Sequence, residues 1–214
     1  SFFNLTIIFL LAKSINGLKM LKPINWKPVY LRATIMTCCM FCFFSASPIL
    51  TISQMAAGLY TFPLFVIILA VVISKEIIGF WRIFALSIGA LGASFVLEPW
   101  NQNFNYVQLL PILAGFFYAC NIILIRKFCR NENPLSLTFA VGVMFFLSGL
   151  IGISLLELIF DFTNVIVDMP FITIGWPDLT IFIFLFAILC SILNVIGNIS
   201  LSKAYQNAES SWLA

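Results

Sequence analysis

The chain reads as an all-α, polytopic membrane bundle on three grounds. Apolar residues make up 62% of it and charged residues 9%, against roughly 45–50% and about 25% in soluble domains. The apolar residues are gathered into seven runs, each close to the ~20 residues a helix needs to cross a bilayer. The basic residues gather in alternate connections: Lys19, Lys22 and Lys27 in the first, Lys75 and Arg82 in the third, Arg126, Lys127 and Arg130 in the fifth, and Lys203 at the close of the seventh run. Glu98, Asp161, Asp168 and Asp178 lie in the connections between, which hold no base. Cytoplasmic loops collect Lys and Arg, so this alternation orients the chain with its first run travelling inward. The net charge of +3 is then a loop bias, and no nucleic-acid partner is expected. Membrane lipid is the expected solvent for most of the surface.

The first run covers residues 2–20 and enters the connection Lys22-Pro23-Ile24-Asn25-Trp26-Lys27-Pro28. Lys13, inside the run, can snorkel to the cytoplasmic headgroups. The second run, 29–46, ends in a short uncharged turn at Ser47-Pro48. The third, 51–74, carries Pro63, which removes one helical hydrogen bond and leaves a kink or gating hinge. The fourth, 81–97, has Ala85, Gly89 and Ala93 on one ridge with Gly92 beside it, a small-residue surface for close helix packing. After the polar connection 98–103 come the fifth run, 106–128, the sixth, 135–160, and the seventh, 179–205. Residues 210–214 open an eighth. The connection 161–177 holds Pro170, Gly175 and Pro177, which argue against a continuous helix. Trp26, Trp81, Trp100 and Trp176 fall at run ends, as an interfacial aromatic belt requires. Strands are rejected because barrel strands alternate polar and apolar residues, whereas these runs are apolar on every face.

Several chemistries are disfavoured. The chain has no His, so Cys/His zinc sites and His-based catalysis have no residues to use in this stretch. Its six cysteines sit within or at the ends of apolar runs and read as small apolar filler. No GxxxxGK[ST] loop is present, and no cofactor or metal is expected.

Polar side chains inside apolar runs should face the bundle interior. Asn194 and Asn198 lie one turn apart in the seventh run, on a face with Cys190 and Leu201 and beside Gly197. Tyr118 and Asn121 share a face of the fifth, and Gln54, Gly58 and Thr61 line one side of the third ahead of Pro63. The substrate-cavity candidates are therefore Gln54, Thr61, Tyr118, Asn121, Asn194 and Asn198, each equally open to a plain interhelical hydrogen bond. Glu76 beside Lys75 is a candidate gate, or else a partner for Arg82. Glu209 is a candidate proton carrier at the mouth of the eighth run.

Two segments repeat. Ala46 to Ser53 and Ala204 to Ser211 each link the end of one run to the start of the next through a tight connection. The runs they close are five apart and end on opposite faces, and an odd-numbered repeat must be inverted, a common construction in secondary transporters. With this in hand the chain resembles the EamA branch of the drug/metabolite transporter superfamily. The match rests on Ser53-Gln54-Met55-Ala56-Ala57-Gly58-Leu59-Tyr60-Thr61-Phe62-Pro63-Leu64-Phe65 followed by Lys75-Glu76, on Arg82 with Ile88-Gly89-Ala90-Leu91-Gly92, and on Leu113-Ala114-Gly115-Phe116-Phe117-Tyr118-Ala119. The chain departs from the pattern in its long 161–177 connection and in Gln54, where an acid sometimes stands.

The resemblance implies a ten-helix fold of two inverted five-helix repeats. Residues 1–100 would be the remainder of the first repeat, helices two to five, and 101–214 helices six to eight with the start of the ninth. It implies a secondary transporter of the bacterial inner membrane, moving a small organic metabolite by alternating access and not acting as an enzyme. Amino-acid, nucleoside and S-adenosylmethionine-like compounds are the substrate classes considered, with a homodimer as one possible assembly. The rival classes are a membrane-embedded enzyme acting on lipid or prenyl substrates, which would need clustered acids or His, and an accessory membrane subunit.

Overall fold

The computed structural model describes residues 2–15, 17–75, 79–98, 100, 105–162 and 180–207. Glu76, Glu209, the connection 163–179 and the start of the eighth run lie outside them. Among the described residues there are eight α-helices in chain order: α1 Phe2–Ile15, α2 Trp26–Ser45, α3 Ile52–Leu59, α4 Phe62–Ser74, α5 Phe80–Leu97, α6 Leu109–Phe128, α7 Pro134–Phe162 and α8 Ile181–Asn207. Short 3-10 turns at Leu18–Leu21 and Tyr106–Gln108 precede α2 and α6. Among the described residues there is no strand, so the architecture is the expected helical bundle. Among the described residues five stretches are long and apolar enough to cross a membrane: Trp26–Ser45, Ile52–Ile73, Tyr106–Phe128, Pro134–Leu155 and Ile181–Asn207.

Two of the expected runs differ in detail. The first is helical only to Ile15, because Gly17, at φ 87°, turns the backbone out of the helix into the 3-10 turn. The third is two helices rather than one, broken at Tyr60 and Thr61 just ahead of Pro63. Pro63 sits in the first turn of α4, where its missing N–H costs nothing, so the break falls before the proline. Upstream, Thr51 caps α3. Its hydroxyl accepts from the Gln54 amide while the Gln54 carboxamide oxygen accepts from the Thr51 amide at 3.1 Å. Asn133 starts α7 in the same way, its side-chain oxygen accepting from Leu135 N at 2.9 Å with Pro134 as the first helical residue.

The helices form two compact units. The first comprises Ser1–Ile24 and Asn133–Leu201, the second Asn25–Glu132 and Ser202–Ala214. In the first, Ile8 and Ala12 of α1 pack with Leu21, Leu135 of α7 and Val195 of α8. Gly142 of α7 lies where a Cβ would meet the Leu5 side chain at 3.0 Å, and Phe3 meets Phe184 edge to face at 5.3 Å.

The second unit is built around α6. Its buried residues Pro111, Ala114, Gly115, Ala119, Ile122 and Ile125 recur every three to four positions, so a continuous stripe faces its neighbours. α2 answers with Val29, Arg32, Ala33 and Thr37 at the same spacing, and the Cys39 thiol donates to Ala114 O at 3.2 Å. Against α3 the approach is closer still. A Cβ on Gly58 would lie 2.6 Å from Pro111 Cβ, and one on Gly115 would lie 3.0 Å from Leu59 O. Small residues let helices come this near where lipid supplies no hydrophobic drive. α5 gives the opposite result: its ridge of Ala85, Gly89 and Ala93 lines an open groove shared with Tyr60, Thr61 and Pro63. Nothing described lies within 4 Å of a Cβ built on Gly89 or Gly92.

Candidate functional site

Four helix ends of the second unit converge where the basic connections lie. Arg32 is six positions into α2 from Trp26, about 9 Å along the axis at 1.5 Å per residue. Asn121 is seven positions short of the α6 end at Phe128, about 10 Å in. The two meet: Arg32 Nε donates to Asn121 Oδ1 at 2.9 Å, with Arg32 3% and Asn121 4% exposed. A guanidinium inside an apolar span is tolerable only where polar groups receive it, and Asn121 is one such group.

The surrounding shell is aromatic and polar. Tyr118, one turn before Asn121, packs in one cluster with Tyr205 near the end of α8. Its ring meets Phe62 of α4 edge to face at 5.0 Å. Tyr205 packs with Val66, Ala119, Ile122 and Ile125.

Below this shell the turn after α6 gathers the ends of three helices. Gln206 Nε2 donates to Cys129 O and to Glu132 O, each at 2.8 Å, so one carboxamide bridges the two ends of the turn. Glu132, 4% exposed, accepts from Asn25 N at 2.6 Å, so its carboxylate holds the start of α2 and complements that helix's positive end. Lys127 donates to Ile73 O at 3.1 Å at the end of α4. The starts and ends that meet here are those the basic residues assign to one membrane face, so the packing agrees with the orientation read from charge. Cys129, fully buried beside Arg32 and Glu132, has its thiol pushed up to about 11. Burial is the main cause; Glu132 adds to it and Arg32 opposes it.

The sequence candidates distribute unevenly. Asn121 and Tyr118 stand in this cluster. Thr61 lies higher in the same unit, at the break between α3 and α4, its hydroxyl donating to Gly58 O at 2.7 Å and within 3.1 Å of a Cβ on Gly115. Gln54 is engaged in the α3 cap. Asn194 and Asn198 belong to the first unit: Asn198 Nδ2 donates to Asn194 O at 2.9 Å and Oδ1 at 3.0 Å, and Asn4 Nδ2 donates to Asn194 Oδ1 at 3.3 Å. Glu76 lies outside the described residues.

Sequence reading passed over Arg32, Glu132, Gln206 and Asn4. Arg32 carried a signal, a lone base three residues past the start of the apolar run 29–46. Among the described residues no group of three Cys, Asp or Glu side chains is placed to hold a metal.

Comparison with known proteins decides the general class. The chain is 37% identical over 81 residues to a riboflavin transporter of Vibrio cholerae, a match covering 38% of this chain and 27% of that protein. It is 31% identical over 85 residues to a riboflavin transporter of Brucella anthropi, covering 40% and 30%. It is 34% identical over 85 residues to an S-adenosylmethionine uptake transporter of Rickettsia prowazekii, covering 40% and 29%. The chain is similar to metabolite transporters. The matched stretch spans less than a third of the length of each of these curated relatives. No family model and no solved structure matches the chain. These transporter relatives support the resemblance to the drug/metabolite transporter superfamily, and they carry the names of transporters rather than enzymes. Together with the five spans they make the chain a multi-pass integral protein of a bacterial plasma membrane.

Proposed function

We propose that the chain is part of a secondary transporter that carries a small organic metabolite across the membrane by alternating access, and that the metabolite bears a nitrogen heterocycle. The observation that carries the reading is similarity, at 31–37% identity, to transporters named for two different compounds. Riboflavin and S-adenosylmethionine share a fused nitrogen ring system on a hydroxyl-bearing sugar-derived chain. A site for such a compound needs aromatic faces and neutral hydrogen-bonding groups. Tyr60, Phe62 and Tyr118 supply the first along α4 and α6; Thr61, Asn121 and the hydroxyl of Tyr205 supply the second.

In this reading residues 1–100 and 101–214 are portions of two inverted five-helix repeats that rock about a site near the bilayer midplane. The break at Tyr60 and Thr61 supports it, because interrupted helices in transporters line the substrate path. Gln54, in the cap at the start of α3, and Asn194 and Asn198, which belong to the first unit, are assigned to the fold. Lipid covers the exposed apolar faces, and a homodimer is the proposed assembly.

The test is flux of labelled riboflavin, S-adenosylmethionine, nucleosides and amino acids in cells expressing the complete gene. Saturable flux of one compound, absent from the vector control, is expected. Absence of flux from protein shown to be folded in the membrane would overturn the reading in favour of an enzyme or an accessory subunit.

A further inference from the structure

We propose that the ties around the turn after α6 form the cytoplasmic gate of the transport cycle, shut in this structure and released when the site opens inward. The inference rests on the transporter reading.

Three observations carry it. The contacts join the ends of separate helices through single side chains: Gln206 ties the end of α8 to the carbonyls of Cys129 and Glu132, Glu132 ties the start of α2 to that turn, and Arg32 ties α2 to α6 through Asn121. Of these ties, withdrawing the end of α8 breaks those of Gln206, and withdrawing the start of α2 breaks those of Glu132 and Arg32. Second, the ties are buried. Arg32, Asn121, Glu132 and Gln206 are each less than a tenth exposed although they lie on the side of the unit that carries the basic loops.

Third, the two ends of the same helices are held by opposite chemistry. At the far ends of α2 and α6, beside the start of α3, Ala46, Leu50 and Met55 pack with Phe43, Val107 and Leu110, and the buried polar side chain described there is the neutral Gln108. An apolar contact that opens to water loses its whole drive. A hydrogen-bonded contact that opens exchanges each partner for water at little net change. The polar end is therefore the one suited to repeated opening. It also accounts for Arg32, since a permanent charge in a span is tolerated where it faces the bundle interior or a cavity that floods.

Cys129 is a built-in reporter. It is fully buried at the centre of the ties, and burial holds its thiol in the unreactive protonated form. The experiment uses the complete gene product with every other cysteine replaced, in inverted membrane vesicles exposed to a membrane-impermeant maleimide. Gln206→Met keeps the length of the side chain and removes its donors, so Cys129 should label at least about fivefold faster than in the parent; Asn121→Leu should do the same. Equal rates in both variants and the parent would overturn the gate. Should Gln206→Met fail to fold, Gln206→Cys oxidised onto Cys129 is the second arm. Arrest of flux that reduction restores is expected, and undiminished flux through the cross-linked protein would overturn the proposal. Flux of the parent, measured in the same vesicles, tests the transporter reading separately, because Cys129 labelling needs no substrate.

Discussion

α6 and α8 are equally suited to a bilayer and are used in opposite ways. Their spans have mean hydropathies of 1.9 and 2.4, yet in the most apolar 18-residue stretch of each, 44% of the first is buried within the chain and 6% of the second. In water the more apolar helix would be the inner one. In lipid that rule lapses, because hydrocarbon is as good an environment for Leu or Phe as another helix is. What draws α6 inward is its small and polar residues. Gly115 and Ala114 let the α3 and α2 backbones approach, and Asn121 offers a hydrogen bond that hydrocarbon cannot. α8 presents Phe182, Phe186, Leu193 and Ile196 outward and is buried only at Val195 and near its end, at Ser202, Tyr205 and Gln206.

The largest expected effect tests the polar half of that contrast. Asn121→Leu leaves the Arg32 Nε without its acceptor in a buried setting, and hydrogen bonds to charged groups are worth about 1.5–3 kcal/mol. Thermal unfolding of the complete protein in detergent should show a loss of that size. A loss no greater than for a polar residue of α8 would mean that hydrogen bonding does not set α6 apart. Next comes the steric half. Gly58→Ala puts a methyl group 2.6 Å from Pro111 Cβ, and neither backbone can yield without parting the helices. Overpacking of this kind costs about 1–3 kcal/mol. Unchanged stability would show that α3 and α6 are free to separate, and would remove the close crossing as the reason α6 is buried.

Sequence reading recovers the spans and misses much of what binds them together, for one physical reason. Runs such as 106–128 and 179–205 announce themselves because crossing a bilayer is a demand on composition and length alone. Which face of a run meets which partner is a demand on pairs of residues distant in the chain. Arg32 and Asn121 lie 89 positions apart, and Gln206 and Cys129 lie 77 apart. Arg32 was also concealed by its company: five residues beyond Lys27 it passes for one more topological charge, when its depth in the run marks it as a buried one. Glu132 stands among Arg126, Lys127 and Arg130, where charge alternation calls for bases, and that exception was the visible trace of the tie to α2. The break in the third run was legible to within two or three residues through Pro63, since proline constrains the chain just ahead of it. The ridge of Ala85, Gly89 and Ala93 shows the converse: a stripe of small residues indicates that close packing is possible and does not name its partner.

The smallest effects belong to α8 and sharpen the comparison most. Asn198 hydrogen-bonds within its own helix to Asn194, and Asn194 in turn receives Asn4. Hydrogen bonds between spans average about 0.6 kcal/mol, so Asn198→Leu should cost about that much, several-fold less than Asn121→Leu. Gly197, one position away, has nothing described within 4 Å of an added Cβ. The gain in helix propensity is then the main term left, and Gly197→Ala should leave stability within about 0.5 kcal/mol of the parent or raise it. The pair Gly58→Ala and Gly197→Ala makes the same chemical change in two apolar spans, so the difference in their unfolding temperatures measures packing with composition held fixed. A large loss at Gly197 would mean that α8 has a close neighbour on that face in the complete protein, and the contrast with α6 would shrink accordingly. A loss confined to Gly58 would establish that these spans are sorted by how near another backbone can come, and not by how apolar they are.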